Sequence, residues 1–271
     1  MSHQTKKSLG QHFLSDTAMI EKIVRAIDPK PGQRIVEIGP GAGAITRPLL
    51  KRHGALTVIE FDRDLIEPLT ALGAELGAEL SIVHADVLTV DLTALAAGGS
   101  IRLVGNLPYN ISSPILFHAI AHLPAITDMH FMLQKEVVDR MAAAPGSKVY
   151  GRLSVMLQAR CRVTPLFKVP PGCFRPPPKV DSAVVRLEPR DPAEVGLLQP
   201  RRFEQVVRAA FAQRRKTLRN ALSTVCTPDQ IEAVGIDPGA RAETVAVADY
   251  VALANALGDE SVPAALAPEQ D

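Results

Sequence analysis

Residues 34–43, RIVEIGPGAG, constrain the fold more than any other stretch of this 271-residue chain. An apolar strand pattern, Ile35-Val36-Glu37-Ile38, breaks into Gly39-Pro40-Gly41-Ala42-Gly43, and residues 44–50 resume at once as an apolar, helix-like run. A strand, a glycine turn and a helix open a nucleotide-binding α/β domain. Glycine lets the backbone pass close to a ligand where a Cβ would collide with it. The spacing is Glu-x-Gly-x-Gly-x-Gly (Glu37, Gly39, Gly41, Gly43), not the Gly-x-Gly-x-x-Gly that seats a pyrophosphate on a helix N-terminus. An ordinary strand-to-helix turn is the plain alternative, so partners are needed further along.

They follow in order. A second strand pattern, residues 56–59, ends in Glu60, seventeen residues past Gly43. An acid about 20 residues beyond such a loop accepts both ribose hydroxyls, although the flanking Asp62, Arg63 and Asp64 also suit a solvated strand end. A third, residues 80–83, runs into Asp86, whose carboxylate can accept from an adenine amino group. A fourth, residues 101–104, ends in Gly105-Asn106-Leu107-Pro108-Tyr109. Polar or glycine features at successive strand tips are expected where ligands lie across the carboxyl ends of a parallel sheet. S-adenosylmethionine suits the loop: it carries no phosphate, and its sulfonium and ammonium groups favour a carboxylate such as Glu37.

The length allows one large domain and a small one: a cofactor domain over residues 1–190, a linker over 191–200 and a helical domain over 201–271. Apolar residues at 46% and charged residues at 22% fit a well-cored soluble protein. Cys161, Cys173 and Cys226 have no C-x-x-C spacing, which points to a reducing cytosol and away from a zinc site. Residues 1–10 carry Lys6 and Lys7 but no apolar core, and no apolar run has membrane-spanning length. A cytoplasmic monomer without metal or membrane partner is expected.

Before the glycine loop, residues 6–14 are polar, and Ser15 or Asp16 can cap a helix with Met19, Ile20, Ile23, Val24 and Ile27 on its face. Pattern alone makes this a tail plus a packing helix. The functional alternative gives Gln11 and His12 polar contacts to a ligand, with Phe13 and Leu14 as a lid. Later, the proline-dense residues 170–182 place Phe174 on a stiff rim, with a buried loop anchor as the competitor. Residues 201–222 read as one helix with Phe203, Val206, Val207, Ala210, Phe211 and Leu218 inward. Its other positions hold Arg201, Arg202, Arg208, Arg214, Arg215, Lys216 and Arg219 against only Glu204, which marks an anionic partner. Thr227 or Asp229, and Thr244, can cap two shorter helices.

Asn106-Leu107-Pro108-Tyr109 carries the chemistry. The exocyclic amine of adenine is a poor nucleophile because its lone pair is delocalised into the ring. The Asn106 side-chain oxygen and the Leu107 carbonyl can each accept one N–H, and Pro108 stiffens the turn that aims them. Tyr109 offers a face for an extruded base. Positioning and charge placement then supply the rate without a strong general base.

The segments GQHFL, VEIGPGAG, VIEFDRD, NLPYNIS, HFMLQKEV, YGRLSV, PPPKVDSAVVRL and FAQRRKTLRNAL together resemble the bacterial small-subunit ribosomal RNA adenine dimethyltransferases, over nearly all of residues 6–222. The resemblance implies a Rossmann-like class I S-adenosylmethionine-dependent fold with a seven-stranded sheet and a small all-helical C-terminal domain. It implies dimethylation at N6 of two adjacent adenosines near the 3′ end of 16S rRNA, in an immature 30S subunit. Cofactor contacts would fall on His12, Leu14, Gly39, Gly41, Glu60, Asp86 and Asn106. The target base would lie between Tyr109 and Phe174, and RNA would meet Arg208, Arg214, Arg215, Lys216 and Arg219. His12 stands where the family more often has asparagine. A large-subunit resistance methyltransferase, a binding-only assembly factor and a small-molecule methyltransferase are the rivals. The Leu107 form of the motif and the basic cluster favour the small-subunit enzyme.

Overall fold

The apolar run at residues 35–38 becomes an interior strand, and its burial on both faces explains why it does not alternate. The computed structural model describes residues 13–213 and 215–258. They divide into two units, the first reaching to residue 142 and resuming over 161–189.

The strands of the first unit are β1 (Phe13–Leu14), β2 (Arg34–Ile38), β3 (Ala55–Glu60), β4 (Glu79–His84), β5 (Ile101–Asn106), β6 (Ile126–Gln134), β7 (Cys161–Val169), β8 (Phe174–Arg175) and β9 (Ser182–Pro189). Seven of them form one sheet in the order β4-β3-β2-β5-β6-β9-β7. Pairing is parallel from β4 to β6, and β9 runs antiparallel to both β6 and β7. Helices α1 (Thr17–Ile27), α2 (Thr46–His53), α3 (Ile66–Leu76), α4 (Leu92–Ala96), α5 (Ser112–Ala121) and α6 (Lys135–Met141) accompany it. This is the class I methyltransferase architecture expected from the sequence, with the seven-stranded sheet.

The order of strands reverses at β2, whose neighbours are β3 on one side and β5 on the other. Ligands bind at such a switch point, outside the carboxyl ends of the strands. The two central strands approach closely there. A Cβ on Gly105 would lie 2.5 Å from the Ile38 carbonyl oxygen, so only glycine is compatible with this register.

Helix α1 starts where its cap allows: the Asp16 carboxylate accepts from the Met19 N–H at 2.7 Å. Its apolar face, Ile23, Val24 and Ile27, packs into a core that also holds Leu49, Leu50, Val58 and Leu69. Its last turn is held from the amino end of the sheet. Buried Arg102 donates to the Ile27 and Asp28 carbonyls at 2.6 and 3.2 Å. The same guanidinium meets Asp128 through two 2.8 Å hydrogen bonds.

The second unit comprises residues 143–160 and those from 190 onward. The sequence expectation had set residues 143–160 in the first domain. Its helices are α7 (Arg152–Gln158), α8 (Pro192–Val195), α9 (Pro200–Ala212), α10 (Leu218–Ala221), α11 (Pro228–Glu232) and α12 (Val247–Leu257). Tyr150, Phe211 and Tyr250 form an aromatic centre with successive ring centroids 6.2 and 5.9 Å apart. The Tyr150 and Tyr250 hydroxyls donate to the Val245 and Ala242 carbonyls, both at 2.9 Å, which satisfies the two buried phenols.

The single helix expected over residues 201–222 is corrected: α9 ends at Ala212, and Thr217 is extended in a bridge with Arg241. Tertiary pairing replaces the helical ladder here, because the Leu218 and Arg219 N–H groups donate to the Ala240 and Pro238 carbonyls. Thr227 caps α11 in a reciprocal box with Gln230. Thr244 instead lies inside a short turn, and Ala246 precedes α12. Among the described residues, no helix is long and apolar enough to cross a membrane.

Candidate functional site

The carboxyl ends of β2, β3 and β5 open onto a cavity of about 310 Å³, within the range that holds a cofactor-sized ligand. Its floor is the glycine loop after β2, where Gly39, Gly41 and Gly43 all have positive φ, between 57° and 81°. A side chain on Gly41 would meet the Phe13 ring at 3.1 Å, so β1 roofs the loop closely. A Cβ on Gly39 would stand 3.9 Å from the Asn106 backbone oxygen, which brings the loop and the Asn-Leu-Pro-Tyr motif side by side.

The walls carry Glu37, Glu60, Asp62 and Asp86, and among the described residues no lysine or arginine lines the cavity. Glu37 is buried and accepts from the Thr46 hydroxyl at 2.7 Å. Burial pushes its carboxyl up to about 7, against the pull of that hydrogen bond and with help from the Glu60 charge. Glu60 accepts from the Gly41 N–H at 3.2 Å and from the Asp62 N–H at 2.8 Å. Burial raises its carboxyl as well, while those backbone donors oppose the rise. Asp86 accepts from the Leu88 N–H at 3.0 Å, which fixes its carboxylate at the tip of β4. A pyrophosphate would be repelled by this lining. A cation is favoured by it, and S-adenosylmethionine, with two positive groups, fits the donor set.

Asn106 ends β5 and Leu107 turns inward, its N–H donating to the Met132 carbonyl at 3.1 Å. Tyr109 follows on the cavity wall, half-buried, with its hydroxyl 2.7 Å from the Ser182 hydroxyl. Its backbone carbonyl accepts from the Ser112 hydroxyl at 3.2 Å. Burial raises the Tyr109 phenol, so it stays neutral at physiological pH.

The fold therefore brings Leu14, Gly39, Gly41, Glu60, Asp86, Asn106, Leu107, Pro108 and Tyr109 to one cavity. His12, with Gln11, and Arg214 lie outside the described residues. Phe174 does not stand on an open rim: its ring is fully buried. Antiparallel pairing of β8 with β1 sets Phe174 opposite Leu14, and the ring joins Leu14, Val169 and Val184 in the core. Of the rim and the buried anchor weighed for it in the sequence, this structure shows the anchor. Arg208 on α9, Arg215 and Lys216 in the turn after it, and Arg219 on α10 are all exposed. Sequence reasoning gave no role to Phe61, 62% exposed at the cavity wall, although an aromatic directly after Glu60 in a chain with 4% aromatics was a usable signal. It also missed Ser182, which no local pattern distinguishes.

The sequence matches the ribosomal RNA adenine dimethylase family over residues 2–259. It is 72% identical over 254 residues to the ribosomal RNA small subunit methyltransferase A of Xanthomonas euvesicatoria pv. vesicatoria (strain 85-10), covering 94% of this chain and 97% of that protein. The crystal structure of a dimethyladenosine transferase from Plasmodium falciparum superposes with a TM-score of 0.76 at 26% identity, covering 89% of this chain and 96% of that one. The 23S rRNA methyltransferase ErmE superposes with a TM-score of 0.68 at 26% identity, covering 90% and 99%.

Proposed function

The chain belongs to the ribosomal RNA adenine dimethylase family, and from that membership we propose its substrate and the roles of its site residues. It is an S-adenosylmethionine-dependent rRNA adenine dimethyltransferase. It converts two adjacent adenosines, in a hairpin loop near the 3′ end of 16S rRNA, to N6,N6-dimethyladenosine. The substrate is the immature small subunit, met in the cytoplasm by a monomer. The observation that carries this reading is the cavity lined by Glu37, Glu60, Asp62 and Asp86 next to Asn106 and Tyr109.

S-adenosylmethionine supplies an electrophilic methyl group on a sulfonium. Glu60 takes the ribose hydroxyls, Asp86 the adenine amino group, and the loop at Gly39 and Gly41 admits the cofactor closely. Leu14 closes over it from β1, Phe61 packs on its adenine, and Asn106 and His12 add polar contacts. The acids Glu37 and Glu60 leave the site short of positive charge, so a sulfonium binds better than a neutral thioether. Asn106 and the Leu107 carbonyl accept the two hydrogens of the target N6 and draw its lone pair out of the ring. Tyr109 holds the base by its face, and Pro108 keeps the acceptors in place. The exposed Arg208, Arg215, Lys216 and Arg219, with Arg214, hold the RNA backbone.

Methyl transfer from labelled S-adenosylmethionine to small subunits lacking the modification tests the reading, with large-subunit RNA alongside and nucleosides resolved. Dimethyladenosine in small subunits alone is expected. Label in large-subunit RNA would overturn the substrate, and bound RNA without label would overturn catalysis.

A further inference from the structure

We propose that Ser182 is a positioning residue for methyl transfer, tethering the Tyr109 phenol and so fixing the ring on which the target base is set. This rests on the reading of Tyr109 as the stacking face.

Tyr109 lies in a turn beyond the end of β5, half-buried on the cavity wall, so the plane of its ring depends on what holds it. A ring that sweeps through several orientations presents no single plane to a base, and ordering it opposes the reaction entropically. Small misplacements at a reacting centre are costly in rate. The residue is held at its backbone and at the far end of its ring. Ser112 bonds its backbone carbonyl, and Ser182 bonds its hydroxyl at 2.7 Å, the usual length for O–H···O.

The anchor is rigid. Ser182 opens β9, is fully buried, and pairs with Gln134 of β6 on one side and Val169 of β7 on the other. The residue before it, Asp181, accepts from the Lys135 N–H at 2.8 Å and pairs with the Lys168 ammonium at 2.7 Å. A buried hydroxyl is tolerated only when bonded, and an alanine here would pack without that demand. The serine links a strand of the sheet's antiparallel half to a ring at the tip of its parallel half, 73 residues away in sequence. A hydroxyl pair that only satisfied two buried groups would affect stability. A tether for the stacking ring affects turnover.

Ser182→Ala, Tyr109→Phe and the double variant are compared for kcat on unmethylated small subunits and for S-adenosylmethionine affinity. Each single change is expected to lower kcat about tenfold and leave cofactor Kd within about twofold, with the double variant no slower than the slower single. Wild-type turnover by Ser182→Ala, or losses that multiply in the double variant, would overturn the proposal. The chain has three tyrosines, Tyr109, Tyr150 and Tyr250, so fluorotyrosine labelling gives a readout independent of turnover. Ser182→Ala should shift the Tyr109 fluorine resonance and leave the other two in place. An unmoved Tyr109 line overturns the tether even in a protein that transfers no methyl group. Absence of transfer by the wild type counts instead against the dimethyltransferase reading.

Discussion

The two ends of the sheet treat charge in opposite ways. At the amino end, Arg102 is 7% exposed and fully engaged: Asp128 takes two of its hydrogen bonds, and Ile27, Asp28 and Gln33 take the others. This cluster neutralises itself and fastens the end of α1 to the sheet. At the carboxyl end, Glu37, Glu60, Asp62 and Asp86 line a cavity to which, among the described residues, no basic side chain contributes. One end is electrostatically complete among the described residues; the other presents a cluster of acids to its cavity. Stability and binding are thereby separated along the strand direction, and the acidic end is where the fold gives up stability for ligand affinity.

Breaking the amino end should have the largest effect. Arg102→Ala leaves the partly buried Asp128 without its guanidinium partner, with only the His130 ring 3.8 Å away, which should lower the unfolding free energy by about 3 kcal/mol in denaturant titrations. Folded variant should still bind S-adenosylmethionine normally; a weakened affinity would mean the two ends are not independent. At the other end, Asn106→Ala should reduce kcat by about 10²–10³-fold with an unchanged Tm. Comparable turnover in this variant would remove Asn106 from the chemistry.

Glu37 sharpens the comparison through pH. Its folded value, about 7, stands above the ordinary 4.5, so its contribution to stability is present below about 4.5 and lost as pH rises through about 7. Cofactor affinity should run the other way, rising by about tenfold as the carboxylate ionises toward the cation. Calorimetric titrations across that window should show the rise in wild type and a flat profile in Glu37→Gln. Parallel profiles would assign the dependence to another group, with His12 the first to test by His12→Asn. The smallest effect belongs to the second unit. Replacing Arg208, Arg215, Lys216 and Arg219 with alanine should flatten the salt dependence of RNA binding by roughly one unit of slope per lost phosphate contact, without altering cofactor affinity.

The convergence of the strand-tip residues on one cavity was legible because local pattern carries it. Glu37, Gly39, Glu60, Asp86 and Asn106 each sit at a strand tip, and strand tips of a parallel sheet converge by topology. The burial of Phe174 was not decided by the sequence because it depends on pairing with β1, about 160 residues earlier in the chain, as Leu14↔Phe174. Pro-rich flanks report stiffness, not which side of a ribbon faces the core. The basic helix was drawn too long for a similar reason. Its continuation at residues 213–217 has helical composition, but Ala240 and Pro238 claim the N–H groups of Leu218 and Arg219. Ser182 could not have been singled out, because its partner lies far away in sequence and its own strand reads as ordinary core.

The place of β9 in the sheet sets a timetable for synthesis. It enters between β6 and β7, although both precede it in the chain. Until residue 189 has emerged, β6 and β7 have open edges, and the Tyr109 ring has no buried hydroxyl to meet. Likewise β1, which precedes β8 by about 160 residues, cannot roof the glycine loop as a paired strand before residues 174–175 arrive. A nascent chain stopped short of β9 would expose unpaired strands, a recognised route to aggregation. The cavity beside Tyr109 is thus completed late, after most of the first unit has left the ribosome.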